Sequence, residues 1–445
     1  MWFFKAFLWI LITGYVFAEQ IWKNSNAIRS IDLRSTFVKE TTSLIIVNEG
    51  NEPQTVYRYH QHVNRGEEIA KIEAVLKDHS KKKAQLTQVD DVSFDIFLET
   101  PVQPGESRTI TVRTSLIHGF RPLPSAIDQD DSQFLVYKTS RFLDSLYSTE
   151  QQRTRFILPS SNVESYTTYD ESPARNGNTI VYETRSFVLP GDNSEEIQVR
   201  YEHTTPLPNA IDFHMQVEFH QYRQKMDVSE RIVLENRSAK LKTPFDRARW
   251  YMKNFYNPIS TAINRFLITL PSDVSDVSYT DEVGNITTSH MRTEPQQTVL
   301  ELLPRYPVFG GWNYLYNLGW SMPYSTFTTH EDGQIFIKLP LTWVPGELFF
   351  EKASWSYVFP EGASNISVKL PVEADSSNVN TVHKFLDTKG RQVYTFEASN
   401  VVDGDPSQIV EISYSFDNSV MYMRVAIITA LLLILATSVY LIWAP

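Results

Sequence analysis

Apolar and polar side chains alternate with a period of two along most of the chain between its two ends. Val92, Phe94, Ile96 and Leu98 fall on one face of a candidate strand, and Ser93 and Asp95 on the other. Phe213, Met215, Val217 and Phe219 likewise oppose His214, Gln216, Glu218 and His220. Such alternation marks strands that bury one face and wet the other, as antiparallel sheets do. Pro104-Gly105, Pro190-Gly191 and Gly362 punctuate them with turn-forming residues. One stretch, Phe245 to Asn264, has helical spacing, with Trp250, Asn254 and Asn257 near one face and Tyr251, Phe255 and Ile259 near another; Pro258 interrupts it. The pattern predicts a mainly β protein of antiparallel, sandwich-like modules.

Both ends break the alternation. Residues 1–18, MWFFKAFLWILITGYVFA, carry one cation, Lys5, then an uncharged apolar run closed by small residues at the positions a signal peptidase reads. Glu19 and Gln20 stop the run, so it reads as a signal peptide cut after Ala18. Val425 to Trp443 is free of charge, and at about 1.5 Å per residue it reaches roughly 28 Å, enough for a bilayer core. Arg424 and Tyr422 stand at one boundary and Tyr440 and Trp443 at the other, where interfacial side chains belong. Residues 19–424 are therefore expected in the lumen of a type I membrane protein, with only Ala444 and Pro445 beyond the helix. Ala426 and Ala430 form a small-xxx-small pair, and Thr429 and Thr437 supply hydroxyls, a pattern that suits helix docking inside lipid.

An internal repeat divides the intervening chain. Thr154 to Thr167 echoes Asn264 to Thr280: an apolar strand, a Leu-Pro stop, then a strand ending in Tyr-Thr. Val38 to Asn48 parallels Val228 to Asn236, and Tyr357 to Asn365 reads as a weaker third copy closing the second unit. Two tandem modules follow, residues 19–225 and 226–421, with the boundary near 222–228.

Composition narrows the chemistry. The 445 residues, with their 13% aromatics and only 16 glycines, argue for packed domains rather than disorder. Without cysteine there are no disulfides, zinc ribbons or thiol nucleophiles. A net charge of −11 with no dominant basic block argues against nucleic acid as a partner. His60 and His62 with Glu67 and Glu68, and the row His214, Glu218, His220, lack a metal-site ligand set and read as polar strand faces. The Asp-x-Asp triplets Asp128 to Asp130 and Asp403 to Asp405, like Lys81 to Lys83, read as solvated loops. Nucleophile elbow, phosphate loop, dinucleotide fingerprint and His-Glu-x-x-His motifs are all absent. No catalytic residue, metal ligand or cofactor is expected.

Two features remain as candidate sites. Three N-x-S/T sequons, at Asn236, Asn285 and Asn365, gain weight behind a signal peptide as acceptors of N-linked glycan. The segment Tyr306 to Phe327 gathers eight aromatics around Gly310-Gly311, flanked by Phe309 and Trp312. Such residues serve either as module core or as a sugar-stacking or partner-binding patch.

At these residues the chain resembles a known family. Asp281-Glu-Val-Gly-Asn-Ile-Thr-Thr-Ser-His290, followed by Leu303-Pro-Arg-Tyr-Pro-Val-Phe-Gly-Gly-Trp312, is similar to the signature stretch of the ribophorin I family, the alpha subunits of the endoplasmic-reticulum oligosaccharyltransferase. Arg155 to Thr167, Val199 to His203 and Phe359 to Ala363 match the pattern in order. The resemblance implies a noncatalytic subunit of the complex that moves a preassembled oligosaccharide from dolichyl-pyrophosphate to asparagine in N-x-S/T sequons. Its partners would be the other subunits, including the polytopic catalytic one, together with nascent polypeptide. Animal members continue past the membrane helix into a cytosolic domain; this chain stops at Pro445, as fungal members do. A membrane-anchored lumenal lectin or chaperone acting alone is the alternative.

Overall fold

The computed structural model describes residues 21–443 apart from 65, 78–82, 170–172, 185–186, 193–194, 332, 344–347, 386, 403–407 and 418. The expected signal peptide, Lys81 and Lys82, the Asp403 to Asp405 triplet and the last two residues lie outside the described residues.

The predicted alternation becomes sheet. Phe213, Met215, Val217 and Phe219 are all fully buried in the strand Pro208–His220, and Val38–Asn48 buries every second side chain along its length. Trp22–Asp32 starts a seven-stranded sheet and Pro208–His220 starts another. Each first strand forms an antiparallel hairpin with its successor, Val38–Asn48 or Lys225–Asn236. On its other side each takes a parallel partner from much later in the chain, Gln152–Ile157 or Phe349–Val358. Each large sheet is accompanied by a three-stranded and a four-stranded sheet. Strand by strand, the two spatial orders coincide, so the modules are copies of one topology.

That topology corrects two readings. The strand pair Gln152–Ile157 and Val163–Tyr166 has its structural counterpart in Phe349–Val358 and Ala363–Lys369, the supposed third copy, and not in Phe266–Pro271 and Ser275–Asp281. An apolar strand closed by Leu-Pro recurs at several places in such a sandwich, so local likeness chose the wrong partner. Val38–Asn48 and Lys225–Asn236 do correspond. A boundary at 225/226 would cut a hairpin, because His220 pairs with Lys225. Residues 221–224, within or beside the expected boundary, are the turn of that hairpin, and the second module begins by Pro208.

The modules meet through Ala126–Ile127, which pairs in parallel with Lys240–Leu241, and through a small apolar cluster of Phe37 and Ile117 against Phe349 and Val402. Helix α1, Arg247–Tyr256, lies within the predicted helical stretch and ends before Pro258; Asp246 caps it by accepting from the backbone N–H groups of Ala248 and Arg249. Helix α2, Ser419–Trp443, contains the apolar run Val425–Trp443, whose side chains are exposed to the surroundings.

Candidate interface and modification sites

Asn236 ends the second strand of its module and is 0% exposed. Its Nδ2 donates to the carbonyls of Thr261 and Val308 at 2.7 and 2.8 Å, and its Oδ1 accepts from Ser238 N–H. A glycan needs that nitrogen, so the fold speaks against the expected glycosylation at Asn236: this asparagine is an internal tie. Its counterpart in the first module, Asn48, is buried in the same way and donates to the carbonyls of Glu52 and Val102.

Asn285 and Asn365 are exposed. Asn285 sits on a braced turn. The Asp281 carboxylate accepts from the N–H groups of Val283 and Gly284 and pairs with Arg305, whose guanidinium holds the carboxyl down at about 2. Arg305 also reaches the carbonyl of Gly284. This pair joins the two halves of the signature stretch. Asn365 occupies an irregularity in the strand Ala363–Lys369, with a positive φ of 51°.

Most of the aromatic segment is interior. Phe309, Tyr314, Tyr316, Trp320 and Tyr324 are buried, whereas Trp312 is half-buried and Tyr306 exposed. Phe309 packs edge-on against Trp250 of α1 and Trp312, at 5.3 and 5.6 Å between centroids. Gly310 is required by close approach: a Cβ there would stand 2.1 Å from the carbonyl oxygen of Ala239. Gly311 supplies the positive φ of the turn, 77°. Core is thus the main use of these residues, and a flat sugar platform is not formed.

Asp128 to Asp130 is a clamp rather than a solvated loop. Gln129 exchanges two hydrogen bonds with the Asp246 backbone, Asp130 pairs with Arg249, and Asp128 accepts from Thr243. The triplet therefore fixes α1 against the first module. The opposite side of α1 exposes Tyr251, Met252, Phe255 and Tyr256, continued by Ile259. The helical spacing had separated Tyr251, Phe255 and Ile259 from Trp250, but only the packing showed which face stays outside.

His60 and His62 converge on Asp144, at 3.5 and 3.6 Å, and not on Glu67 and Glu68. Among the described residues no group of three or more His, Cys, Asp or Glu side chains could hold a metal. Glu67 is buried and receives hydrogen bonds from Asn64, yet burial still pushes its carboxyl up to about 7. On α2, Ala426 and Ala430 lie one turn apart on the exposed surface. The hydroxyls of Thr429 and Thr437 bond to carbonyls of their own helix, at Val425 and Ile434.

Two repeated β-sandwich modules followed, among the described residues, by one apolar helix long enough to span a bilayer define a protein of paired β modules with a C-terminal candidate membrane span. The profile of the Ribophorin I family matches residues 22–443, and the chain belongs to that family. It is 56% identical, over 99% of both chains, to dolichyl-diphosphooligosaccharide–protein glycosyltransferase subunit 1 of Schizosaccharomyces pombe. The subunit 1 of Caenorhabditis elegans is 31% identical over 92% of this chain and 70% of its own length. Subunit 1B of Oryza sativa subsp. japonica is 28% identical over 88% and 85%. Among solved structures, an M1 zinc metallopeptidase from Deinococcus radiodurans matches 43% of this chain and 44% of its own, with a TM-score of 0.27 and 7% identity, too low to carry an argument.

Proposed function

We propose that the chain is a noncatalytic subunit of the oligosaccharyltransferase of the endoplasmic-reticulum membrane, acting in N-linked glycosylation with a structural and substrate-guiding role. The observation that carries this reading is 56% identity to a subunit 1 along 99% of both chains. Its ectodomain lies in the lumen, held by α2, and its partners are the other subunits, including the catalytic one. Three features support the reading: the N-terminal apolar run with its small-residue cleavage site, exposed sequons at Asn285 and Asn365, and an aromatic segment spent on packing instead of on a sugar-binding surface.

Blue-native electrophoresis of detergent-solubilised membranes, with identification of comigrating chains, tests it. The expected outcome is a stable assembly containing the polytopic glycosyltransferase subunit. Migration of the chain alone, with glycan or client released on washing, would instead favour a free-standing lectin or chaperone. Protease added to sealed microsomes should leave the ectodomain intact; trimming from outside would overturn the orientation.

A further inference from the structure

The end of the second module from which α2 emerges is built to meet a surface. Asp417 starts the helix by accepting from the N–H and hydroxyl of Ser419, and Phe416 just before it stacks edge-on against Tyr222 at the tip of the hairpin, 5.7 Å between centroids. The loop joining Ser376–Val382 to Arg391–Val402 lies beside the helix: Thr388 Oγ1 is 4.0 Å from Met423 Sδ. Met423 precedes the first residue of the apolar run, Val425, by two positions, or about 3 Å of helix rise. A headgroup layer is roughly 5–7 Å deep on each side of the hydrocarbon, so Thr388 stands at its level. Three residues away, Phe385 is 90% exposed.

The loop's hydrogen bonds fix that exposure. Buried Glu361 accepts from the N–H groups of Thr388 and Lys389 and from the Thr388 hydroxyl. Asp387 accepts from the Lys384 N–H and from the Arg391 guanidinium, and Lys384 and Arg391 both pair with Glu218. The loop is thus tied at both ends and in the middle, with the ring of Phe385 held outward. A phenyl ring exposed in that way, three residues from a group at headgroup level, gains by entering the boundary between headgroups and acyl chains.

We infer that Phe385 is a second membrane contact of the chain, a ring inserted into the interface of the bilayer that α2 crosses, so that helix and loop together fix the tilt of the second module. The partner is phospholipid. Because Lys384 and Arg391 are already paired with Glu218, the contact rests on the ring and does not need anionic lipid. The inference rests on α2 spanning the membrane.

The chain contains no cysteine, so single substitutions can carry a nitroxide. Phe385→Cys, Leu433→Cys within α2 and Phe255→Cys are compared in the full chain reconstituted in phosphatidylcholine vesicles. Phe255 is a matched control: it is 82% exposed but lies on α1, beyond the far end of Lys225–Asn236, whose other end is at the hairpin tip. The expected result is that labels at 385 and 433 lose most of their collisions with a water-soluble nickel complex and gain them with oxygen, while the label at 255 stays aqueous. Aqueous behaviour at 385 with lipid behaviour at 433 would overturn the inference and leave the span intact; aqueous behaviour at both would overturn the span itself. Protection at 385 that appears only on assembly with other subunits would assign the ring to a protein partner and likewise overturn it. Trypsin resistance equal to wild type controls for folding.

Discussion

Two asparagines in sequons look alike in sequence and behave oppositely in the fold. Asn285→Gln should remove a glycosidase-sensitive increment of mass, seen as faster migration on denaturing gels, whereas Asn236 should carry no glycan. Asn236→Ala, by stripping partners from the buried carbonyls of Thr261 and Val308, should cost about 1–3 kcal/mol for each group left unsatisfied, read as a lower melting temperature. Wild-type stability together with a mobility shift would contradict both statements. Glu67 gives a pH signature. Its carboxyl is raised from 4.5 to about 7 in the folded protein, so the folded state binds more protons than the unfolded chain between those values. Its contribution is therefore most favourable below the unfolded value and is lost as pH rises through the folded one. Glu67→Gln should flatten the fall in melting temperature across pH 4.5 to 7, and an unchanged slope would show that another group dominates that window.

At the scale of elements, the turn at Gly310-Gly311 and helix α1 form one joint. Asn236 brackets the turn from the main chain, donating its N–H to Trp312 and accepting from Gly311 N–H. Phe309 then fills the space beneath Trp250. Phe309→Ala should cost about 3–5 kcal/mol, more than Trp312→Ala, since only the first ring is wholly enclosed. Gly310→Ala should cost about 1–3 kcal/mol, because its Cβ meets backbone and not a side chain that can move aside. Thermal melts of the purified chain check the order; equal melting temperatures for Trp312→Ala and Phe309→Ala would contradict the packing account.

For the whole molecule, the question is what α2 does besides anchor. In lipid, apolar contact alone gains little, and close backbone approach over small residues drives helix association. With Thr429 and Thr437 bonded within their own helix, we propose that any such role falls to Ala426 and Ala430. Substituting Leu at both positions preserves hydrophobicity and should leave insertion intact while loosening the complex in mild detergent. Recovery of the assembly at wild-type yield on blue-native gels would show that the lumenal modules hold it without help from the helix.

Sequence periodicity alone determined the strand character, the helix around Trp250 and the apolar run Val425–Trp443, because each depends on neighbours two to four positions apart or on length in lipid. The signature stretch, similarly local, identified the family. Tertiary structure alone decided which repeat copies correspond, since parallel pairing of Trp22–Asp32 with Gln152–Ile157 joins residues more than a hundred positions apart. It alone separated Asn236 from Asn285, because a sequon encodes recognition and not burial, and burial is set by Thr261 and Val308 arriving from other parts of the chain. The same holds for Phe385: the loop that exposes it is held by Glu361 and Glu218, and that loop is brought beside α2 by the approach of Thr388 to Met423; Glu361, Glu218 and Met423 all lie far from it in sequence.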